Sequence, residues 1–470
     1  MANDILALLK QELLLSVIII VLLIIKIGAD EWKSSNLLNF INVLLLINFL
    51  AGFVLNLEGS LFNGMFNTNR LIVLEKNILN LATLLISLQS FNWLKEHKHV
   101  IEFYALMLST LLGMFFMISS GNLLMFYLGL ELSTIPLAAM ANFDLARRQS
   151  SEAAFKFIIS SAFSSGLLLF GISLMYGATG SLDFEIIRQQ LNGSSIQLFA
   201  FILLLSGFAF KISVVPFHLW TADVYEGSPV AVTSYLSVVS KAAIFFVFVP
   251  VLYTVFKSLA DSWYWMLFLL SILTMVVGNL FAIRQNNLKR LLAFSSISQV
   301  GFILVGISGN SQAGSASVIY FLIIYSLSNL AAFGVVSFIS SLTGKESIDD
   351  YKGLYKTNPL LSWVLGIALF SLAGIPPTAG FFGKFFLLMA GASRGNYELI
   401  VIAAVNMVVA LYYYLRVIKA IFMESNEHPI EKLKISPLPG LAMLLCVAGI
   451  IITGFIGWIY DYIFSLSTRF

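Results

Sequence analysis

The chain has 470 residues, 59% of them apolar and only 11% charged, with a net charge of +3 and a mean hydropathy of +0.92. That balance excludes a soluble enzyme and describes a polytopic membrane protein; at roughly 30 residues per span and loop there is room for about 14 to 16 helices and no sizeable soluble domain. The single cysteine, Cys446, excludes a disulfide framework or an iron–sulfur cluster held by this chain alone. The four histidines, three in loop-like settings, point to no metal site, and there is no phosphate-cradling glycine loop.

The chain opens with ANDILALLKQELLLSVIIIVLLIIK, acidic first and without a small-residue cleavage site, which reads as a first spanning helix rather than a signal peptide. Apolar runs of about 18 to 25 residues bounded by polar clusters predict fourteen spans. These start near Ile5, Leu37, Ile72, Ile101, Leu123, Ser151, Ile196, Val230, Trp263, Leu291, Ser317, Leu360, Leu399 and Leu438. An even number puts both termini on one side. Loops after odd spans, that after span seven left aside, carry fourteen lysines and arginines, Lys289 and Arg290 among them; loops after even spans carry Arg70, Arg188, Lys257 and Arg394. The asymmetry predicts cytoplasmic odd loops and periplasmic termini in a bacterial inner (plasma) membrane.

Two of these spans, seven and twelve, are interrupted. In span seven, Lys211 follows the apolar run FAFILLLSGFAF and lies about 15 residues, or roughly 23 Å of helix, from the preceding polar loop. Pro216 and Pro229 then each remove a backbone donor, so the helix breaks. A broken helix is tolerated in lipid only where protein buries it or it lines a wetted cavity. Span twelve breaks at SLAGIPPTAGFFGKF. A shift of 164 residues lays Lys156–Gly180 on Tyr320–Gly344, pairing Phe157 with Phe321, Ser164 with Ser328, Ser173 with Ser337 and Gly180 with Gly344, and brings Lys211 and Pro216 beside Ile375–Gly380. The pattern predicts helices one to three over 1–100, a five-helix unit over 101–257, a second and inverted one over 258–425, and a last helix over 426–470. Paired broken helices in inverted repeats are the layout of ion-coupled transport folds.

Ionisable residues at membrane depth are candidate functional groups by default. Glu131 lies about nine residues into span five, and Lys211 is its natural partner, because pairing offsets part of the cost of burying either charge. Lys241 stands about ten residues from the nearest polar loop, beyond the roughly 6 Å that a snorkelling side chain reaches. Lys384 follows the second break, where unwound backbone admits water. Lys156 is a weaker candidate, only six residues after Ser150, where its side chain could also point into the cytoplasmic headgroups. Buried lysines suit a proton relay because desolvation brings an amine toward neutral titration. Ser213, Ser234, Ser237, Ser240, Ser298 and Tyr413 are candidate connecting hydroxyls, each explained as readily by helix packing. His218 could pass protons to Lys211. Alternatively it lies toward the surface with Asp223 and Glu226, capping or hydrating the break. The scattered aromatics suggest no cofactor site.

The segments GLELSTIPL, SSEAAFKFIISSAFSSGLLLFGISLMYGATGSL, FKISVVPFHLWTADVYEGSPVAVTSYLSVVSKAAIF, NLKRLLAFSSISQVGFILVG and LAGIPPTAGFFGKF resemble the antiporter-like subunits of respiratory complex I, the bacterial NADH:quinone oxidoreductase. The resemblance is dense over residues 100 to 425 and loose in the flanks. Among three paralogous branches, lysine rather than glutamate after the second break and the expected lack of a C-terminal lateral helix exclude two. The resemblance implies Glu131 and Lys211 as paired charges of a first half-channel, Lys156 as a connecting lysine, Lys241 as the central lysine and Lys384 as the residue of a second half-channel. It also implies no cofactor on this chain, with NADH, FMN, iron–sulfur clusters and quinone on other subunits. The implied partners are the lipid bilayer, a neighbouring antiporter-like subunit and small subunits leading to the quinone module; no nucleic acid is expected. Val239-Ser240-Lys241 replaces the family's proline-containing triplet, which predicts a softer bend before Lys241. A cation/proton antiporter of the Mrp type, or a membrane subunit of a related hydrogenase complex, shares most of these features.

Overall fold

The computed structural model describes residues 2–28, 33–54 and 57–467, and is almost wholly helical. Its membrane-length helices are α1 (Lys10–Gly28), α2 (Ser34–Ala51), α3 (Arg70–Gln89), α4 (Val100–Ile118), α5 (Leu123–Ala141), α6 (Arg148–Thr179), α7a (Ser195–Ile212) with α7b (Leu219–Gly227), and α8 (Val230–Val255). Then follow α9 (Ala260–Ile283), α10 (Leu288–Ser308), α11 (Gln312–Thr343), α12a (Pro359–Ala373) with α12b (Ala379–Ala392), α13 (Tyr397–Met423) and α14 (Pro437–Phe455). Thirteen helices are long and apolar enough to cross a bilayer, and the split pair α12a and α12b supplies the remaining predicted span. All fourteen expected spans are therefore present, and seven and twelve are the interrupted ones. A short helix, α15 (Trp458–Leu466), and a hairpin of β1 (Gly59–Leu61) with β2 (Phe66–Thr68) were not expected.

Burial sorts the helices. The most apolar window of α10 is 100% buried and that of α11 is 94% buried, against 28% for α1, so α10 and α11 form the centre and α1 faces outward. Central helices can carry polar side chains because other helices, not lipid, surround them.

Local features recur in the same order in the two halves. Asn122 caps α5 by accepting from the amide of Met125, and Asn287 caps α10 by accepting from those of Lys289 and Arg290. The next residue in each case hydrogen-bonds a loop after the following helix, Leu123 to the Leu182 carbonyl and Leu288 to the Glu346 carbonyl, both at 2.9 Å. Helices α6 and α11 are both 32 residues long and end on left-handed glycines, Gly180 and Gly344. Both breaks close with a left-handed residue, Ser213 (φ 66°) or Gly374 (φ 84°), and a six-to-one bond, from the Val214 amide to the Ala209 carbonyl or from the Ile375 amide to the Phe370 carbonyl. These caps align at a shift of 161 (374 − 213), not 164, because α7a has 18 residues and α12a only 15. The sequence alignment is thus displaced by three residues at the breaks.

Helix α8 contains two π segments, Leu236–Ser240 and Val251–Val255. The first lies directly before Lys241 and widens the helix there.

Candidate functional site

The first break places Lys211 on the last turn of α7a, where unsatisfied carbonyls favour a cation. The freed backbone groups find partners in protein, as they must in lipid. The Val215 amide donates to Thr274 Oγ1 of α9 at 3.1 Å, and Trp220 Nε1 donates to the Phe210 carbonyl at 3.2 Å. Lys211 is 8% exposed, and its Nζ donates to Thr134 Oγ1 at 2.6 Å and Ser161 Oγ at 3.0 Å. The expected Glu131–Lys211 ion pair does not form. Glu131 lies one turn before Thr134 on α5, and its Oε1 is buried with no hydrogen-bond partner among the described residues. The lysine reaches the turn of α5 beyond the carboxylate, and the threonine hydroxyl that receives it donates to the Leu130 carbonyl at 2.6 Å.

A small enclosed cavity is lined by Lys211, Ser133, Thr134 and Ser240, with Met114, Phe157 and Trp220 as apolar walls. About 10 Å³ is open to the centre of a water molecule, room for one. Ser240, Leu236 and Ile244 bring α8 to the wall of this cavity beside Lys211.

Lys241 is 1% exposed, which disposes of snorkelling. Its Nζ donates to Ser296 Oγ of α10 at 2.6 Å and lies 5.6 Å from the centre of the Tyr225 ring. Tyr325 of α11 donates its hydroxyl to Ser296 at 2.8 Å and also meets Ser237 at 3.1 Å. Lys384 is likewise 1% exposed. It reaches back across the second break, donating to the carbonyls of Leu372 at 2.7 Å and Ala373 at 3.3 Å, the C-terminal end of α12a. Both breaks therefore seat an ammonium at a half-helix C-terminus, one supplied from before the break and one from after it. Gln299 Nε2 donates to the same Leu372 carbonyl at 3.0 Å and to the Tyr414 hydroxyl at 3.1 Å, and Tyr414 in turn meets Ser295. Ser295, Ser296 and Gln299, within little more than one turn of α10, thus carry the contacts to Lys241 on one side and to the Lys384 network on the other.

The remaining expected residues divide. Ser237 and Ser240 face the lysines as described. Tyr413 donates to Asn279 Oδ1 at 3.1 Å and packs 4.5 Å from Tyr414, beside the Lys384 network. Ser213 accepts from Thr221 Oγ1 at 2.7 Å and holds the cap, Ser234 bonds the Val230 carbonyl within its own helix, and buried Ser298 Oγ has no partner among the described residues. Lys156 is 40% exposed and pairs with Asp223 at 2.6 Å and Glu152 at 2.8 Å. Arg290 bonds Asp223 at 2.8 Å and Glu226 at 2.7 Å, so these five residues form a rim network and Lys156 touches neither Lys211 nor Lys241. Asp223 and Glu226 do lie at that rim, but His218 is buried, with Nδ1 unpartnered among the described residues. Lys289, counted as a loop charge, is 1% exposed and reaches Glu346 at 3.3 Å.

Sequence reasoning missed Thr134, Ser161, Ser296, Tyr325 and Gln299. The polar cluster SSISQ in an otherwise apolar span was a usable signal for the last helix, but Ser298 was chosen where Ser296 holds the lysine.

Fold and site together define a polytopic helical membrane protein of the antiporter-like class, with buried lysines set around two interrupted helices. The family described as NADH:quinone oxidoreductase/Mrp antiporter, transmembrane, matches residues 120–410, and the chain belongs to it. It is 48% identical over 409 residues to NADH-quinone oxidoreductase subunit N of Phocaeicola vulgatus, covering 86% of each chain. To the subunit of the same name from Azobacteroides pseudotrichonymphae it is 44% identical over 469 residues, covering 97% of each. Among solved structures it resembles a chain of respiratory complex I from Thermus thermophilus with bound aureothin, with a TM-score of 0.82, 29% identity, and coverage of 96% of this chain and 98% of that one.

Proposed function

We propose that this chain is the subunit N of a bacterial NADH:quinone oxidoreductase and moves protons through Glu131, Lys211, Lys241 and Lys384, driven by redox chemistry on other subunits. The single observation that carries the relay is the near-complete burial of Lys241 and Lys384, each hydrogen-bonded to protein. A buried amine without a carboxylate partner changes charge at low cost, so it accepts and releases protons when its surroundings shift. In this reading protons pass from Lys211 toward Lys241 by way of Thr134 and the one-water cavity, and from Lys241 toward Lys384 by way of Ser296, Tyr325, Tyr414 and Gln299; the contacts of these groups with the lysines and with one another support it. Lys156, with Asp223, Glu226 and Arg290, serves as a rim at which protons gather. NADH, FMN, iron–sulfur clusters and quinone belong to partner subunits, and neighbouring membrane subunits pack against the outward faces.

In this reading α4–α8 and α9–α13 are two five-span units of opposite orientation, in a bacterial inner membrane with both termini periplasmic. An odd number of spans per unit and the matched caps support the inversion. Because the family also includes Mrp antiporters, the second reading is a cation/proton antiporter. The two separate in vesicles containing the purified assembly. NADH-driven acidification, with flavin-containing partners co-purifying, is the expected result, whereas sodium-dependent exchange without NADH would replace the first reading by the second.

A further inference from the structure

The three N-terminal helices hold a charged cluster that the lysine row does not use. Glu12 of α1 and Glu75 and Lys76 of α3 are 2%, 2% and 1% exposed. Lys76 pairs with Glu12 and lies 5.1 Å from the Phe66 ring centre and 5.7 Å from that of Phe115. Asn77, Asn80 and Asn48 extend the polar contacts behind it, with Asn48 donating to Asn80 at 2.7 Å. Glu75 makes no hydrogen bond or ion pair among the described residues. It lines a cleft of about 650 Å³ whose polar wall is Glu58, Asn67, Asn69, Arg70 and Glu185, and whose opposite wall is the Phe246–Val251 stretch of α8, the helix that carries Lys241.

Charge counting decides what this cluster does. The one ammonium buried as deeply as the two carboxylates, that of Lys76, is held by Glu12, so an ionised Glu75 would have no direct counter-charge in its buried site. Burying a charge without a partner is unfavourable, so the neutral carboxyl is favoured. The charges facing the site are Lys10, Glu12 and Lys76 on its inner side, and Glu58, Arg70 and Glu185 at the cleft. Arg70 and Glu58 pair with one another at 3.6 Å, and Lys10 is held by the Val54 carbonyl, so neither cation is directed at Glu75. A proton taken up from the cleft neutralises Glu75 without any further ligand.

We propose that Glu75 is a proton-exchange site served by this cleft, with the Glu12–Lys76 pair beside it, forming a second titrating centre independent of the lysine row. A hydrophobic carbodiimide tests this, because it forms adducts with protonated carboxyls in apolar surroundings and not with carboxylates. The assembled complex in membranes is treated over a range of pH, and the peptides of this chain are read by mass spectrometry. An adduct is expected on Glu75 and not on Glu12, falling about tenfold per pH unit once the carboxyl ionises. Glu75→Asp keeps a pH-dependent adduct, and Lys76→Met, which leaves Glu12 unpaired, adds a second adduct on Glu12. No adduct on Glu75 at any pH, or one that does not respond to pH, overturns the proposal on the unaltered protein, whether or not the variants assemble.

Discussion

At the scale of single residues, what distinguishes Lys211, Lys241 and Lys384 from the equally buried Lys76 and Lys289 is that hydroxyls and carbonyls, rather than carboxylates, receive them. Ser296 accepts from Lys241, Thr134 and Ser161 from Lys211, and two backbone carbonyls from Lys384. A neutral acceptor stabilises the ammonium by about 1.5–3 kcal/mol without fixing its charge, whereas a carboxylate partner would hold the proton more firmly. Ser296→Ala is therefore expected to slow NADH-driven acidification about tenfold, the equivalent of about 1.4 kcal/mol. Ser298→Ala, two residues away with an unpartnered hydroxyl, should leave the rate unchanged; equal effects of the two would remove the assigned role of Ser296. Thr134→Val should slow acidification less than Glu131→Gln, because Ser161 still receives Lys211. Stopped-flow measurement of vesicle acidification with a pH dye ranks the two.

At the scale of elements, the breaks are where sequence and structure agree best, for a physical reason. Proline and glycine act locally, so Pro216, Gly374 and the Pro376-Pro377 pair could be read directly as interruptions. All fourteen spans were legible too, since length and hydropathy suffice when lipid is the solvent. The partners of the lysines were not, because a hydroxyl chosen by three-dimensional packing looks in sequence like any other small polar residue. The Glu131–Lys211 contact failed for a similar reason: complementary charge predicts proximity but cannot resolve one helical turn. The hairpin had a local signal, Asn63-Gly64 between apolar stretches, which a search for spans passes over. The second break also depends on close approach. A methyl group on Gly380 would meet the Ser371 carbonyl at 1.7 Å, and a backbone atom cannot swing aside. Gly380→Ala is expected to destabilise the α12a–α12b junction by about 1–3 kcal/mol or more. Lower yield of assembled complex and earlier thermal loss of activity should report it; wild-type behaviour would contradict the packing.

At the scale of the whole molecule, burial is lowest in α1 and highest in the central α10 and α11, and the lysine row lies against that centre. Outward faces rich in exposed leucine, isoleucine and phenylalanine meet lipid or neighbouring subunits, as the resemblance to a chain of complex I supports. The account rests on Lys241 being a proton carrier and not a buried structural cation. The most direct measurement is the number of protons moved per NADH oxidised, in vesicles carrying the assembled complex with Lys241→Met. A lower ratio than wild type is expected while electrons still reach quinone; an unchanged ratio in fully assembled complex would show Lys241 to be a structural cation and contradict its role as a carrier.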